Sequence, residues 1–369
     1  MTLASVPMPE PLVPTDRPTR VGIVGLGQIY ALNITAYRNF PEAEIVALCD
    51  RDADKLAARG AEWPGAARYT ELEEFLAHDM DVVEVLVPSP FHCDVVCQVL
   101  DAGFHVNLQK PMAHNVEQAD RMIEAARRND RVLRVMENYL FYEPLRVLKR
   151  VVESGEIGEP AGLHLKMVAT GNGGWDVDPA AWRWQFEQMA EAGGILIYDD
   201  GWHKFSVARW LFGPVREVMA WIGETEVVPG ITIDAPTTVM WKHANGLRGV
   251  WDITFAPDML TPSHYYSNDE RFEVQGRKGF VRVNRCTARV RQEPSVEVYV
   301  DGECRTYHAL DDDWASSFRD QSRAFIRWLR GDQAGELLWS DTEARAVMQF
   351  LAAARESSRL NVPVTLPEE

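Results

Sequence analysis

Short glycine and aspartate motifs near the start of the chain carry residue types that bind nucleotides. Gly25 and Gly27 follow the apolar run RVGIVG and precede a stretch with a helical pattern. In this context Gly25 permits a tight turn, and Gly27 lets the backbone approach a pyrophosphate at a helix N-terminus. Tyr30 occupies the third glycine position of this fingerprint, so we expect the helix to pack differently on the sheet. Asp50 ends the next strand, where a carboxylate can accept hydrogen bonds from ribose hydroxyls.

The residues around Asp50 also bear on which dinucleotide is bound. Asp50 repels a ribose 2′-phosphate, which favours NAD, whereas Arg51 can bind such a phosphate or stack on adenine. The motif therefore predicts NAD, with NADP as the alternative. An ordinary glycine turn beside a solvated aspartate is the competing interpretation, but strand, turn, helix and acid together favour a dinucleotide.

A second motif, LQKPM, lies at the end of a strand-like run, where open α/β sheets bind ligands. Lys110 in this motif can hydrogen-bond a substrate hydroxyl and lower the cost of its negative charge. Without that context, Lys110 would be an ordinary surface lysine. The motif predicts a substrate-polarising lysine.

A third motif, AGGILIYDDGWHKF, contains an inward-facing histidine. His203 shares a helical face with Val207 and Leu211, and Asp199 lies four residues earlier. A carboxylate beside an imidazole holds its tautomer and raises its basicity, which suits proton transfer near neutral pH. Asp200 is expected to cap the helix. A satisfied core histidine is the ordinary alternative.

Residues 171–201 are rich in Gly, Trp and acidic residues with no clear period, which predicts a long functional loop. Trp175, Trp182 and Trp184 can stack on the face of a sugar. Arg183 can bind hydroxyls or a carboxylate. A loop packed by its own aromatic side chains is an equally supported alternative.

The elements that must position these residues follow two patterns. Strand-like apolar runs alternate with helical stretches over residues 19–139, which predicts an N-terminal Rossmann domain with a doubly wound parallel sheet. Alternating strands dominate residues 215–300, which predicts a C-terminal α/β domain with a large, open, mainly antiparallel sheet. We expect a flexible tail over 1–19, the Rossmann domain over 20–143 and the substrate-binding and oligomerisation domain over 144–369.

Composition excludes several classes of protein. The formal charge of −17 over 369 residues disfavours nucleic-acid binding. The sequence contains no run of about 18 apolar residues, so we expect no membrane span. The N-terminus lacks the pattern of a signal peptide, and five sparse cysteines suit a reducing cytoplasm. His92, Cys93 and Cys97 are close in sequence, but their helical, apolar context favours core packing, and we expect no metal.

The order of several runs resembles the Gfo/Idh/MocA family of nicotinamide-dependent sugar and polyol dehydrogenases. These runs are GLGQIY, CDRD, PSPFHCDVVCQVLDAGFHVNLQKPMA, ENYLFYEPLRVLKRVVESGEIGEP and GGILIYDDGWHKFSVARWLFG. The family usually has Glu-Lys-Pro at the strand end, whereas this chain has Gln109-Lys110-Pro111, as in a subset similar to D-apiose dehydrogenase. The resemblance implies that His203 transfers the proton, that Asp199 orients it, and that Lys110 polarises the substrate.

The resemblance also implies the remaining site residues. The cofactor-binding set comprises Gly25, Gly27, Gln28, Ile29, Asp50, Arg51, Pro88, Ser89, His92, Gln109 and Lys110. The substrate-binding set comprises Lys110, Asn138, Trp175, Trp182, Arg183, Asp199 and His203.

The expected activity is NAD(P)-dependent oxidation of a secondary hydroxyl or hemiacetal of a sugar or cyclic polyol. A redox-neutral lyase or hydrolase with tightly bound NAD is one alternative, and a non-catalytic sugar or NAD sensor is another. We expect a homodimer or homotetramer, because one face of such an open sheet invites burial. The last helix is expected to return to the Rossmann domain.

Overall fold

A computed structural model describes residues 10–175, 179–192, 194–332 and 339–368 of the chain. These residues fall into two compact units. Unit 1 contains the chain up to Asn138 together with Phe318–Arg345. Unit 2 contains Tyr139–Ser317 and the chain from Ala346 onward.

The described part of unit 1 contains a six-stranded sheet, and all its strands are parallel. Its strands are β1 (Thr19–Val24), β2 (Ala43–Cys49), β3 (Ala67–Tyr69), β4 (Val82–Val85), β5 (His105–Leu108) and β6 (Leu133–Val135). The strand order β3-β2-β1-β4-β5-β6 reverses direction between β1 and β4. Ligands of open α/β sheets bind at the carboxyl ends of the strands at such a point. The predicted doubly wound parallel sheet is confirmed.

The helices of unit 1 connect these strands, and the first of them is unusually short. They are α1 (Tyr30–Asn33), α2 (Ala53–Gly60), α3 (Leu72–Leu76), α4 (His92–Asp101) and α5 (Val116–Arg128). Helix α1 begins at Tyr30, whose buried hydroxyl accepts a hydrogen bond from the Trp63 indole N–H at 3.0 Å. After four residues α1 passes into a 3-10 turn, Ile34–Tyr37. A tyrosine ring therefore fills the space where the fingerprint glycine would allow close helix packing.

Residues 10–18 belong to the stretch that the sequence predicts as a flexible tail, yet they are anchored to unit 1. The Leu12 N–H donates to the Leu329 carbonyl at 2.8 Å, and the Val13 side chain is buried. Arg17 makes two hydrogen bonds to the Asp81 carboxylate, at 2.6 and 2.9 Å. Apolar burial and this ion pair therefore hold the segment before β1.

The described part of unit 2 contains a nine-stranded sheet in the order β16-β15-β14-β13-β7-β12-β11-β8-β17. Every neighbouring pair is antiparallel except β7 with β12. A separate two-stranded sheet pairs β9 with β10. The strands are β7 (Pro160–Asn172), β8 (Val215–Ile222), β9 (Thr225–Val228), β10 (Ile231–Ile233), β11 (Thr237–His243), β12 (Arg248–Leu260), β13 (Asn268–Gly276), β14 (Gly279–Val283), β15 (Val296–Val300), β16 (Glu303–Tyr307) and β17 (Val364–Thr365). The predicted large, mainly antiparallel sheet is confirmed.

Helices cover one face of this sheet. The described α-helices that follow β6 are α6 (Glu143–Glu153), α7 (Pro179–Ala192), α8 (Gly201–Phe212), α9 (Trp314–Leu329) and α10 (Asp341–Leu360). Phe205 on α8 stacks on Phe350 of α10 with ring centroids 3.9 Å apart, and it contacts Trp241 and Trp251 of β11 and β12 edge-on. These buried aromatic rings form the core beneath the candidate histidine, His203.

Two expectations about the helices differ from the structure. The predicted loop over 171–201 instead contains α7 and a π-helical turn, Leu196–Asp200. The α7 sequence consists of good helix formers, but its apolar residues follow no single face, so periodicity gave no signal. The last helix, α10, belongs mainly to unit 2, whereas most of α9 belongs to unit 1, where Arg323 donates to the Ala36 carbonyl at 2.7 Å.

Within the described ranges, no helix is both long and apolar enough to cross a membrane. The five cysteines are all free.

Candidate active site

The glycine turn after β1 leaves room for a ligand. A Cβ atom on Gly25, whose φ is +93°, would lie 2.7 Å from backbone atoms of Leu86 and Val87. A Cβ atom on Gly27 would meet no atom within 4 Å. Only glycine therefore fits the turn at Gly25, and the space above Gly27 is open for a group such as a pyrophosphate.

Asp50 lies beside this turn at the end of β2. One carboxylate oxygen accepts a hydrogen bond from the Leu26 N–H at 2.7 Å, and the other accepts from the Asp52 N–H at 2.9 Å. Asp50 is half-buried, and each oxygen retains a lone pair for a further donor. The carboxylate therefore holds the glycine turn and remains able to accept from a ribose hydroxyl.

The other predicted cofactor residues of unit 1 lie in the loops that follow the strands. Gln28 and Ile29 precede α1, Pro88 and Ser89 follow β4, and Gln109 and Lys110 follow β5. The Arg51 guanidinium lies over the Phe91 ring, 5.7 Å from its centroid. These loops all lie at the carboxyl edge of the parallel sheet, where the sequence predicted the cofactor.

His92 differs from its predicted role. It is buried, and its two ring nitrogens lie 2.9 Å from the carbonyl oxygens of Val87 and Pro111. Burial lowers the pKa of His92 to about 4. Because both nitrogens face backbone carbonyls, the His92 side chain links the loop after β4 to the turn after Lys110. Its role is therefore to stabilise these two loops.

The turn after β5 presents the predicted lysine. The Gln109 side chain is buried, and its oxygen accepts from the Lys110 N–H at 2.9 Å. Lys110 itself is half-buried. The residue that replaces the family's glutamate therefore shapes the backbone on which Lys110 is carried.

The segment that carries Asp199 and His203 is continuous helix, formed by the π-helical turn Leu196–Asp200 followed by α8. Asp200 makes no side-chain capping bond, because the helix extends before it, and it instead accepts from the Lys204 ammonium at 3.3 Å. His203 is only 4% exposed. The expected capping role of Asp200 is therefore wrong.

A residue that the sequence analysis missed holds the start of this segment. The buried Asp234 carboxylate accepts from the Leu196 N–H at 2.7 Å and from the Ile197 N–H at 2.5 Å. A Cβ atom on Gly194, whose φ is +129°, would lie 2.5 Å from that carboxylate. The absence of a side chain at Gly194 therefore allows Asp234 to bind the helix start.

Four contacting aromatic side chains, Trp175, Tyr265, Tyr266 and Trp314, form an aromatic group, and its member Tyr266 lies near Asp199. Trp175 contacts Tyr265 and Tyr266 with ring centroids 5.8 and 5.5 Å apart. Burial raises the pKa of Tyr266, and the negative charges of Asp199 and Asp200 raise it further. Trp175 therefore reaches the Asp199 region through Tyr266, a neighbour that no sequence pattern indicated.

The other predicted substrate residues differ in how exposed they are to solvent. Asn138 is buried, whereas Arg183 is exposed on α7. The side chain of Trp182 lies outside the described residues. Within the described part of the chain, no group of His, Cys, Asp and Glu is arranged to hold a metal ion.

The fold and these loops define a dinucleotide-binding oxidoreductase. Residues 19–137 match the GFO_IDH_MocA family, described as an oxidoreductase family with an NAD-binding Rossmann fold. Residues 145–282 match the GFO/IDH/MocA C-terminal domain. The chain therefore belongs to the Gfo/Idh/MocA family, and it is an NAD-dependent oxidoreductase that acts on CH–OH groups.

Individual relatives are distant. The chain is 26% identical to D-apiose dehydrogenase of Rhizobium rhizogenes, over 71% of this chain and 72% of that protein. It is 25% identical to myo-inositol 2-dehydrogenase of Thermotoga maritima, over 95% of this chain and 99% of that protein. Among solved structures, it resembles the WlbA dehydrogenase of Chromobacterium violaceum in complex with NADH and UDP-GlcNAcA, with a TM-score of 0.75 and 25% identity over 98% and 99% of the two chains.

Proposed function

We propose that this enzyme oxidises a ring hydroxyl, a secondary alcohol or hemiacetal of a cyclic sugar or polyol, and that His203 takes the hydroxyl proton. The observation that supports this most directly is the placement of Asp199, four residues before buried His203 on one helical segment, beside the aromatic group. Ring stacking suits the C–H face of a cyclic polyol better than a short acyclic acid. Relatives named for inositol and for apiose agree with a polyol or sugar substrate.

The residues of unit 1 fit NAD. Open space above Gly27 accommodates a pyrophosphate, and Asp50 accepts from ribose hydroxyls while disfavouring a 2′-phosphate. When bound, NAD supplies the hydride acceptor for oxidation of an alcohol carbon. Because Arg51 can bind a 2′-phosphate, NADP is the second candidate cofactor.

Three side chains have separate roles at the reacting hydroxyl. The Lys110 ammonium donates a hydrogen bond to the hydroxyl oxygen and stabilises negative charge that develops there. The His203 imidazole accepts the proton as the carbon loses hydride. Asp199 stabilises the imidazolium that results.

A substrate screen tests this proposal. Purified enzyme is mixed with NAD or NADP and with cyclic polyols, pyranoses or acyclic hydroxy acids, and NADH absorbance is followed. We expect ring substrates to react and His203→Ala to lower turnover strongly while NAD stays bound. A screen in which only acyclic acids react contradicts the proposal.

Other outcomes of the screen support the alternatives. Cofactor that survives purification without net NADH formation favours a redox-neutral lyase or hydrolase. Ligand binding without turnover favours a sensor.

We also propose a homo-oligomer in a reducing cytoplasm. The outer face of the nine-stranded sheet exposes Trp221 on β8 and Met240 on β11, and large exposed apolar side chains on a sheet face favour association. Free cysteines agree with a reducing compartment.

A further inference from the structure

Beside His203 lies a buried group of polar and charged side chains that the proposed reaction does not use. Tyr139 stacks on the His203 imidazole with ring centroids 4.2 Å apart and planes inclined by 22°. Tyr139 is 2% exposed, so the stack lies within the protein. This ring is placed to fix the plane of the imidazole.

The tyrosine is in turn held by an ion pair. Its hydroxyl donates to both carboxylate oxygens of Glu270 on β13, each at 3.1 Å. Glu270 also accepts from the Lys204 ammonium, and both of these side chains are fully buried. Hydrogen bonds to a buried, ion-paired carboxylate therefore restrain the Tyr139 ring in addition to packing.

The charges in this group are fixed. Burial acts to lower the pKa of Lys204, but Glu270 and Asp200 outweigh burial and raise it, so Lys204 stays charged. Burial and then Glu270 raise the pKa of Tyr139 well above its usual value, so the phenol stays neutral. The neutral phenol donates to a carboxylate, and its ring contacts both the imidazole and the Lys204 ammonium, which lies 5.1 Å from the ring centroid.

We propose that Tyr139 is a positioning residue for His203. The Lys204–Glu270 pair holds its ring against the imidazole, where it fixes the imidazole plane and stabilises the imidazolium formed during proton transfer. This inference rests on the proposed role of His203 as the base. A π face stabilises an adjacent cation more than a neutral ring, so the stack favours the protonated form.

Titratable groups of several elements belong to this cluster. Asp199, Asp200 and Lys204 lie on the helical segment of His203, and Tyr139 stacks on the imidazole. Glu270 on β13 contacts Tyr139 and Lys204, Cys286 lies near Glu270 and Lys204, and Tyr266 lies near Asp199 and Asp200. Substitutions of Tyr139 alone leave every formal charge in this set unchanged.

NMR titration of the His203 ring in the full-length protein tests the inference without a substrate, with the signal assigned by His203→Ala. We expect Tyr139→Leu to reduce the proton affinity of His203 by roughly 3- to 30-fold, the range for loss of a buried cation–π contact. Tyr139→Phe keeps the ring but loses the bond to Glu270, so its titration should fall between wild type and Tyr139→Leu. The matched control is Tyr142→Phe, since that buried hydroxyl donates instead to the Arg285 carbonyl at 3.1 Å; its titration should match wild type.

Folding of the Tyr139 variants and turnover of His203→Ala distinguish a failure of this inference from a failure of the proposed function. If Tyr139→Leu does not fold, the Phe variant still tests the inference, because a wild-type titration in it contradicts the part assigned to Glu270. An unchanged titration in folded Tyr139→Leu overturns the inference outright. If His203→Ala keeps full turnover, the proposed function fails; if it loses turnover while Tyr139→Leu retains wild-type titration, only the positioning role fails.

Discussion

At the residue scale, Asp50 combines a structural and a binding role. Its carboxylate accepts from the Leu26 N–H within the glycine turn, which fixes the backbone around the open space at Gly27. The sequence predicted an acid for ribose but not this second bond, because a hydrogen bond between distant loops has no local pattern.

Replacement of Asp50 by Ala should therefore weaken NAD binding by about 1–3 kcal/mol, the range for loss of a charged hydrogen bond. Isothermal titration calorimetry measures this change. Asp52→Ala is the control, because Asp52 caps α2 through the Asp54 and Lys55 N–H groups, so its loss should leave NAD affinity unchanged. Equal affinity in wild type and Asp50→Ala would exclude this role for Asp50.

Lys110 allows a test of substrate polarisation. Lys110→Met should lower turnover by about 100-fold or more, because the reacting hydroxyl loses its charged donor. NAD affinity should change little, because the turn at Gly25 and Gly27 is untouched. Steady-state kinetics with Lys55→Met, an exposed lysine on α2 that pairs with Asp52, provides the control. Near-normal turnover of Lys110→Met would indicate that Lys110 is an ordinary surface lysine.

At the element scale, apolar runs predicted the parallel and the antiparallel sheet, but not the polar side chains within their strands. Glu84, Asn107 and Arg134 are paired neighbours on β4, β5 and β6. Asn107 donates to Glu84 at 2.9 Å and accepts from Arg134 at 2.8 Å. Each of these polar residues looks like an exception within its own apolar strand, and only strand pairing shows that the three form one buried row.

The start of the segment that carries Asp199 and His203 depends on Asp234. Asp234→Ala removes the acceptor for two buried backbone N–H groups, so we expect it to lower the free energy of unfolding by about 2–5 kcal/mol. Turnover should fall as well, because the segment begins at those groups. Asp252→Ala on β12 is the control: Asp252 is exposed and its carboxylate accepts from the half-buried Thr238 hydroxyl, so the loss should stay within about 0.5 kcal/mol. Denaturant unfolding that shows equal losses would argue against this anchoring role.

His243, the last residue of β11, should make stability depend on pH. Its Nε2 accepts from the Trp241 indole N–H and its Nδ1 lies 2.9 Å from the Gly213 carbonyl, so the buried ring is neutral. Burial lowers the pKa of His243 to about 4, whereas an unfolded histidine titrates near 6.5. Its contribution is therefore complete above about pH 6.5 and is lost as pH falls towards 4, by up to about 3 kcal/mol.

Urea unfolding at several pH values measures this slope. His243→Gln keeps polar atoms but cannot titrate, so its free energy of unfolding should fall less between pH 6.5 and 4 than that of wild type. His308→Gln, a substitution outside β11, should retain the wild-type slope. Parallel curves for wild type and His243→Gln would contradict the assignment.

At the scale of the whole molecule, the order of elements indicated two domains, but not their discontinuous composition. Unit 1 takes Phe318–Arg345 from near the end of the chain, so the boundary lies within both α9 and α10. Each helix has one continuous pattern in sequence, and a pattern of this kind does not reveal where along a helix its neighbours change. The boundary therefore required three-dimensional contacts.

The outer face of the nine-stranded sheet carries the last prediction, which concerns assembly. Its side chains alternate strictly with the core: Val239 and Trp241 of β11 are buried, while Met240 between them is exposed. On the neighbouring strand β8, Trp221 is 49% exposed. Burial of such side chains against a second copy would remove apolar area from water.

We therefore expect light scattering to give a mass of at least twice the 41.7 kDa of one chain. The double substitution Trp221→Glu and Met240→Glu should shift that mass towards one chain, whereas the control Leu260→Glu, which alters an exposed side chain at the end of β12, should not. A wild-type mass of 41.7 kDa at micromolar concentration would refute assembly, and a multiple that survives the double substitution would assign it to another surface.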